Sequence, residues 1–122
     1  MIGYVTLGTN NFDAAAKFYD QLLAEIGAKR FMDGDNFIAW GCAPDRPSLA
    51  IIKPFNKEVA TVGNGTMVAL TVDSQAKVND IHQKALALGG VDEGAPGLRG
   101  GTFYAGYFRD PQGNKLNVFY FG

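Results

Sequence analysis

An α+β fold made of two βαβββ units is predicted by three observations. Two stretches of helical periodicity are each preceded by one strand-like run and followed by three more. Loops rich in glycine, proline and aspartate separate these runs at corresponding places. The two halves also overlay. At an offset of 63 residues Tyr4 falls on Met67, Phe18-Tyr19 on Ile81-His82 and Gly27 on Gly90. By the last strands the offset has grown to 67, with Leu49-Ala50-Ile51 falling on Leu116-Asn117-Val118. A solenoid needs three or more units, so a twofold repeat in a chain of 122 residues predicts one pseudo-two-fold domain. Module one spans about 1–55, a connector about 54–65 and module two about 66–122.

Each element has a local cause. Ile2–Gly8 alternates β-branched and aromatic residues and reads as a strand. Asn10 and Asn11 offer cap side chains, and Asp13 suits the positive end of a helix dipole. Ala15, Phe18, Tyr19, Leu22, Leu23 and Ile26 then form one apolar helix face, with Gly27 as the stop. Lys29–Met32 and Asn36–Trp40 flank Asp33-Gly34-Asp35, whose Asp-Gly pair signals a hairpin. After the loop Pro44-Asp45-Arg46-Pro47, Ser48–Lys53 is the last strand of module one.

In module two Thr66–Val72 is a strand and Asp73-Ser74 a cap. Val78, Ile81, His82, Ala85 and Leu86 mark the second helix, which Gly89-Gly90 ends. A short strand at Val91–Glu93 precedes a Gly/Pro-rich loop, Gly94–Gly101. Thr102–Arg109 and Lys115–Phe121 are strands joined by Asp110-Pro111-Gln112-Gly113-Asn114, where Pro presets one turn angle and Gly or Asn supplies positive φ.

Composition excludes several functions. Apolar residues make up 47% and charged residues 19%, which favours a packed core over disorder. The net charge is −1 and no run of like charge occurs, so neither nucleic acid nor a membrane is an expected partner. One cysteine, Cys42, rules out an intrachain disulfide and fits a reducing, cytoplasmic setting. The N-terminus opens directly on strand-like sequence with no secretory pattern.

The run Val5-Thr6-Leu7-Gly8-Thr9-Asn10-Asn11-Phe12-Asp13, leading to Phe18-Tyr19, resembles the opening of glyoxalase/bleomycin-resistance/dioxygenase proteins. The same holds for Ala95-Pro96-Gly97-Leu98-Arg99, Phe103-Tyr104-Ala105 and Arg109-Asp110-Pro111-Gln112-Gly113-Asn114. These proteins form the vicinal oxygen chelate superfamily, and the resemblance spans nearly the whole chain. It implies two βαβββ modules whose curled sheets form a cup. It also implies lyase, isomerase or dioxygenase chemistry at a metal held by His, Glu or Gln from the first and last strands of each module. Carried over by position, those places hold Tyr4, Met67, Ala50 and Asn117.

Donor chemistry bears on the same point without the family. Zinc, nickel and iron sites rely on imidazole, thiolate and carboxylate, and the chain has one His and one Cys. No metal and no other cofactor is expected. His82, on the apolar face of the second helix, reads as a packed helix residue with one ring nitrogen satisfied; a ligand or catalytic role is the alternative. An all-oxygen Mg²⁺ or Ca²⁺ site would have to draw on Asp33, Asp35, Asp45, Asp73, Asp92 and Glu93, most of which fall in turns or caps.

Alternation gives the inward residues. With Val5 and Leu7 under the helix, Ile2, Tyr4 and Thr6 point into the cup, as do Met67, Ala69 and Thr71 by the repeat. Asn117, Phe119 and Phe121 point inward from the last strand, and either Phe37 or Trp40 adds to a wall. Of Tyr104 and Tyr107 at most one faces the cup. Arg99 either reaches over it to grip an anion, or is solvated or paired with a nearby acid. The expected ligand-binding set is Tyr4, Thr6, Trp40, Met67, Arg99, Tyr104, Asn117 and Phe119, with catalytic residues unassigned.

These residues predict a metal-independent protein of the glyoxalase/bleomycin-resistance type that binds, and sequesters, an apolar or aromatic small molecule. A barrel packed with such residues and binding nothing is the plain alternative. A divergent lyase, isomerase or dioxygenase with a non-standard site is another, with Tyr4 as its acid/base group. A non-catalytic interaction domain used as a homodimer is a third reading, with module pairing either within the chain or exchanged between chains, and the sequence does not choose between them.

Overall fold

The computed structural model describes residues 1–122, which fall into two compact units, Met1–Val62 and Gly63–Gly122. The first unit contains β1 (Tyr4–Gly8), α1 (Phe12–Ala24), β2 (Lys29–Asp33), β3 (Phe37–Gly41) and β4 (Ser48–Ile52). Its sheet has the order β1-β4-β3-β2, with β1 parallel to β4 and the other pairs antiparallel. The second unit repeats this with β5 (Val68–Thr71), α2 (Gln75–Ala87), β6 (Val91–Leu98), β7 (Phe103–Arg109) and β8 (Lys115–Phe121). Its order is β5-β8-β7-β6, and β5 is parallel to β8. The predicted βαβββ repeat is therefore present in topology as well as in sequence.

The helix ends follow their sequence signals. Asn11 caps α1, its Oδ1 accepting from Ala14 N at 3.2 Å, and Ser74 caps α2 by accepting from Lys77 N at 3.0 Å. Gly27 closes α1 at φ 78°, while Ala28 N donates back to Leu23 O. The turn after β7 is built on buried Asp110, whose Oδ1 accepts from Gln112 N and Asn114 N, both at 2.9 Å. Its Oδ2 accepts from Asn114 Nδ2 at 3.0 Å. Gly113 supplies the positive φ that the turn needs.

One element differs from expectation. The segment read as a short strand and a Gly/Pro-rich loop is largely strand, since β6 runs from Val91 to Leu98. Register shifts between Asp92 and Gly94 and again between Gly94 and Gly97 absorb the residues that looked like breakers. β6 is an edge strand, where Pro96 costs no ladder bond that the sheet requires. The connector is also less free than its polarity suggests. Asn10 and Ala60 exchange two hydrogen bonds, of 3.1 and 2.8 Å, which tie its first part to unit one.

Each helix buries one face of its own sheet. In unit one the Trp40 Nε1–H donates to Asp20 Oδ1 on α1 at 2.9 Å, and the Trp40 ring lies 5.7 Å from Tyr19. Trp40 therefore marks the helix face, and strand register adds Val5, Leu7, Ile38, Leu49 and Ile51 to it. In unit two Tyr104 Oη donates to Asn79 Oδ1 of α2 at 2.7 Å, and Phe108 packs edge-on to His82. Register places Val68, Leu70, Leu116 and Val118 on that side.

Arg30 on β2 holds Asp20 in a two-point grip, Nε at 2.8 Å and Nη2 at 2.7 Å, and also reaches Asp33. The Arg30 fork, helped by the Trp40 N–H, keeps the Asp20 carboxyl below the usual carboxylate range against a smaller opposing effect of burial. A folded-state pKa lowered in this way gives stability that is full above the unfolded value of about 3.9 and fades as pH falls through the folded value. Denaturant melts between pH 6 and 3 should therefore show stability dropping at the acid end. Asp20→Asn should be less stable at pH 6 and show a flatter acid slope; an unchanged slope would mean that the pair is immaterial.

Candidate functional site

The sheet faces turned away from the helices carry the candidate site residues. In unit one this face presents Tyr4, Thr6, Phe37, Ala39 and Ala50, by the same register that puts Trp40 on the other side. Tyr4 is 63% exposed and its ring meets Phe37 edge-on at 6.2 Å. Tyr4, Phe37 and Ala39 floor a groove of about 470 Å³, walled by Ile2, Phe31, Met32 and the loop Pro44–Pro47. That volume lies within the range of small-molecule pockets, and the aromatic and thioether lining matches their usual make-up. Four neighbouring side chains, Ile2, Tyr4, Phe31 and Met32, are more than half exposed and form an apolar cluster around the groove.

In unit two the corresponding face carries Ala69, Thr71, Phe103, Tyr107, Arg109, Lys115, Asn117 and Phe119. Phe103 stacks on Phe119 at 5.4 Å. Asn117 is 1% exposed and its Oδ1 is buried with no hydrogen-bond partner. A buried polar atom without a partner costs on the order of 1–3 kcal/mol, and such atoms collect at functional sites. Arg109 is neutralised by Glu93, with Nε 2.8 Å from Oε1.

Two expected site residues lie elsewhere. Trp40 is buried against α1 rather than lining a pocket, so of the pair Phe37 and Trp40 it is Phe37 that reaches the open face. Tyr104 points to α2, and Tyr107 is the tyrosine of that strand on the open side. In both cases the sequence left the strand parity open. A side-chain anchor to the helix decides it. Phe31 and Met32 were missed as groove residues, since the bulge between Arg30 and Met32 breaks the alternation that would have placed them. Tyr4, Thr6, Asn117 and Phe119 lie on open faces, and Met67, just before β5, is partly exposed.

Metal chemistry fits these residues poorly. Ala50 offers no donor, Met67 offers only a thioether, and Tyr4 and Asn117 are weak ligands beside imidazole or carboxylate. No three His, Cys, Asp or Glu side chains come together anywhere in the structure. His82 is committed elsewhere. Its Nε2 lies 3.1 Å from both Asp92 Oδ1 and the Tyr107 carbonyl oxygen. Two acceptors facing one ring nitrogen place the proton there, so Nε2 is no ligand, and the buried ring has no second and third donor beside it to share a metal through Nδ1. Asp92 is held below the ordinary carboxylate range first by the Gly94 N–H and then by His82.

A family model described as the glyoxalase/bleomycin resistance protein/dioxygenase superfamily matches residues 1–118. Among solved structures, a glyoxalase/bleomycin resistance protein from Albidiferax ferrireducens T118 is similar at 30% identity and a TM-score of 0.90, with 98% of each chain covered. A glyoxalase/bleomycin resistance protein/dioxygenase family enzyme from Burkholderia phytofirmans PsJN is similar in fold at 18% identity and a TM-score of 0.79, again over 98% of each chain. A lactoylglutathione lyase from Agrobacterium tumefaciens shares the fold at 22% identity and a TM-score of 0.73, covering 98% of this chain and 92% of its own. No protein of curated function matches the sequence.

Proposed function

This chain belongs to the glyoxalase/bleomycin resistance protein/dioxygenase superfamily, and from that premise we propose that it is a metal-independent small-molecule-binding protein whose ligand is apolar or aromatic. The observation that carries this reading is the pairing of donor-poor residues at the ligand places with an open aromatic groove. Tyr4 and Ala50 stand where the first module would supply metal ligands, and Tyr4 instead forms the floor of the groove with Phe37. A flat apolar ligand would stack against those rings and Phe31, and Met32 would adapt to its outline. Asp45, Arg46 and Ser48 at the rim of the groove would supply the one or two polar handles of such a ligand, and sequestration is the role this reading gives the groove.

Titration of the full chain with Zn²⁺, Ni²⁺, Fe²⁺ and Mn²⁺ tests the metal-free half. The expected result is no stoichiometric uptake at micromolar protein and no shift in melting temperature. One metal bound per chain, lost on changing Tyr4, Met67 or Asn117, would sink the reading in favour of a divergent lyase, isomerase or dioxygenase. For the ligand half, 1-anilinonaphthalene-8-sulfonate serves as the aromatic probe. Its fluorescence should rise saturably, and Tyr4→Ala with Phe37→Ala should weaken binding by about tenfold or more. Equal binding by the double variant would remove the groove from the proposal.

A further inference from the structure

We propose a second binding element, an oxyanion site on the open face of the second sheet, formed by Arg99 and Lys115 beside the Tyr107 ring. The Arg99 guanidinium lies 5.5 Å from the Tyr107 ring centre and the Lys115 ammonium 5.7 Å from it. Neither cation forms an ion pair with an acid. This sets them apart from Arg30, paired with Asp20 and Asp33, and from Arg109, paired with Glu93 on the same sheet face. Asp92, the other acid of β6, is occupied by the Gly94 N–H and His82. Two like charges around one ring repel each other, and a bound anion relieves that repulsion.

Arg99 is also held in place. Its Nη2 donates to the Ala95 carbonyl at 2.6 Å, while the tyrosine ring supports the planar group. The bulged course of β6 makes room for it. A Cβ at Gly94 would stand 3.3 Å from Arg99 Nη2, and one at Gly97 would stand 3.1 Å from Nη1. Small residues at both positions therefore form a notch for the guanidinium, leaving Nε and Nη1 as donors. A fixed fork with spare donors and a second cation nearby suits a carboxylate or a phosphate group. Fixing the fork beforehand reduces the ordering cost of binding.

The site does not depend on the metal-free reading, since uptake of a metal would overturn that reading and leave this one standing. The test is an amide-shift titration of the full chain at low ionic strength in the presence of a chelator. Inorganic phosphate and sodium acetate are titrated separately, with sodium chloride as the ionic control. Saturable shifts are expected around residues 94–99, Tyr107 and Lys115, with chloride giving none. Tighter phosphate binding would assign a phosphate-bearing ligand and tighter acetate binding a carboxylate. Arg99→Gln and Lys115→Gln should each weaken the preferred anion by about tenfold, and Arg99→Lys should fall between because it keeps charge without the fork. Lys84→Gln, on α2, should match the parent chain. Shifts linear in anion concentration, or equal affinity in the two glutamine variants, would overturn the site.

Discussion

Replacing Trp40 with alanine should lower stability by about 3–5 kcal/mol, a large share of the roughly 5–15 kcal/mol that a domain commands. The ring is buried to 2% exposure between Tyr19 and the guanidinium of Arg30, whose centre lies 5.9 Å from it. Its removal opens a cavity under α1 and deprives Asp20 of one donor. Trp40→Phe separates these effects. Phenylalanine retains most of the packing but not the N–H to a charged acceptor, for which a loss of about 1.5–3 kcal/mol is expected. Urea unfolding followed by far-UV circular dichroism measures both, because the chain has no other tryptophan to report by fluorescence. A loss below about 1 kcal/mol for the alanine variant would contradict the packing described.

The same residue shows how far the sequence could be read. Helix faces were legible because Phe18, Tyr19, Leu22 and Leu23, or Val78, Ile81 and Ala85, recur at helical spacing and end at glycines that close the helix. Strand existence was legible too, and β8 begins and ends where the alternation does. Strand parity was harder. In Phe37–Gly41 every residue is apolar or glycine, so alternation carries no signal, and the face is set by a hydrogen bond from Trp40 to a helix residue twenty positions earlier. Tyr104 and Tyr107 posed the same problem, which the Tyr104 bond to Asn79 resolves.

The candidate site was legible where strand alternation held. Tyr4, Thr6, Asn117 and Phe119 were placed by alternation along the first and last strands, and the repeat carried the assignment to Ala69 and Thr71. Phe31 sits in a bulge and Met32 just beyond it, and a one-residue bulge reverses every later assignment on that strand. The setting of Arg99 depends on Gly94 and Gly97, which read as loop punctuation because glycine in sequence gives the same sign for a turn and for a notch. The lone histidine was the opposite case. Its place on the apolar helix face predicted packing, and the structure supplies the acceptors for its ring nitrogen.

Gly90→Ala should cost about 3 kcal/mol, at the upper end for overpacking, although adding one methyl group to a helix end is ordinarily mild. Gly89 and Gly90 follow α2 as a pair and look interchangeable in sequence. They have different tasks. Gly89 adopts φ 102° and a Cβ there would meet only Pro111 Cγ at an ordinary 3.7 Å, so its requirement is conformational and costs about 1 kcal/mol when a side chain is added. Gly90 lacks a left-handed φ, but a Cβ there would lie 2.8 Å from the carbonyl oxygen of Ala85 and 2.8 Å from that of Arg109. Both obstacles are backbone and cannot rotate aside. The Ala85 oxygen already accepts from Gly90 N at 2.8 Å, and Arg109 is the ladder partner of Val91. Room for the methyl group comes only by unwinding the end of α2 or by parting β6 from β7. Because β6 also positions Arg99, Gly90→Ala should weaken oxyanion binding as well as stability. Gly3→Ala, with nothing within 4 Å, is the matched control and should change stability by less than about 0.5 kcal/mol. Equal melting curves for the two variants would show that the helix end and strand are not packed this closely. A loss confined to Gly90→Ala would locate the tightest backbone approach of the second unit at the passage from α2 into β6.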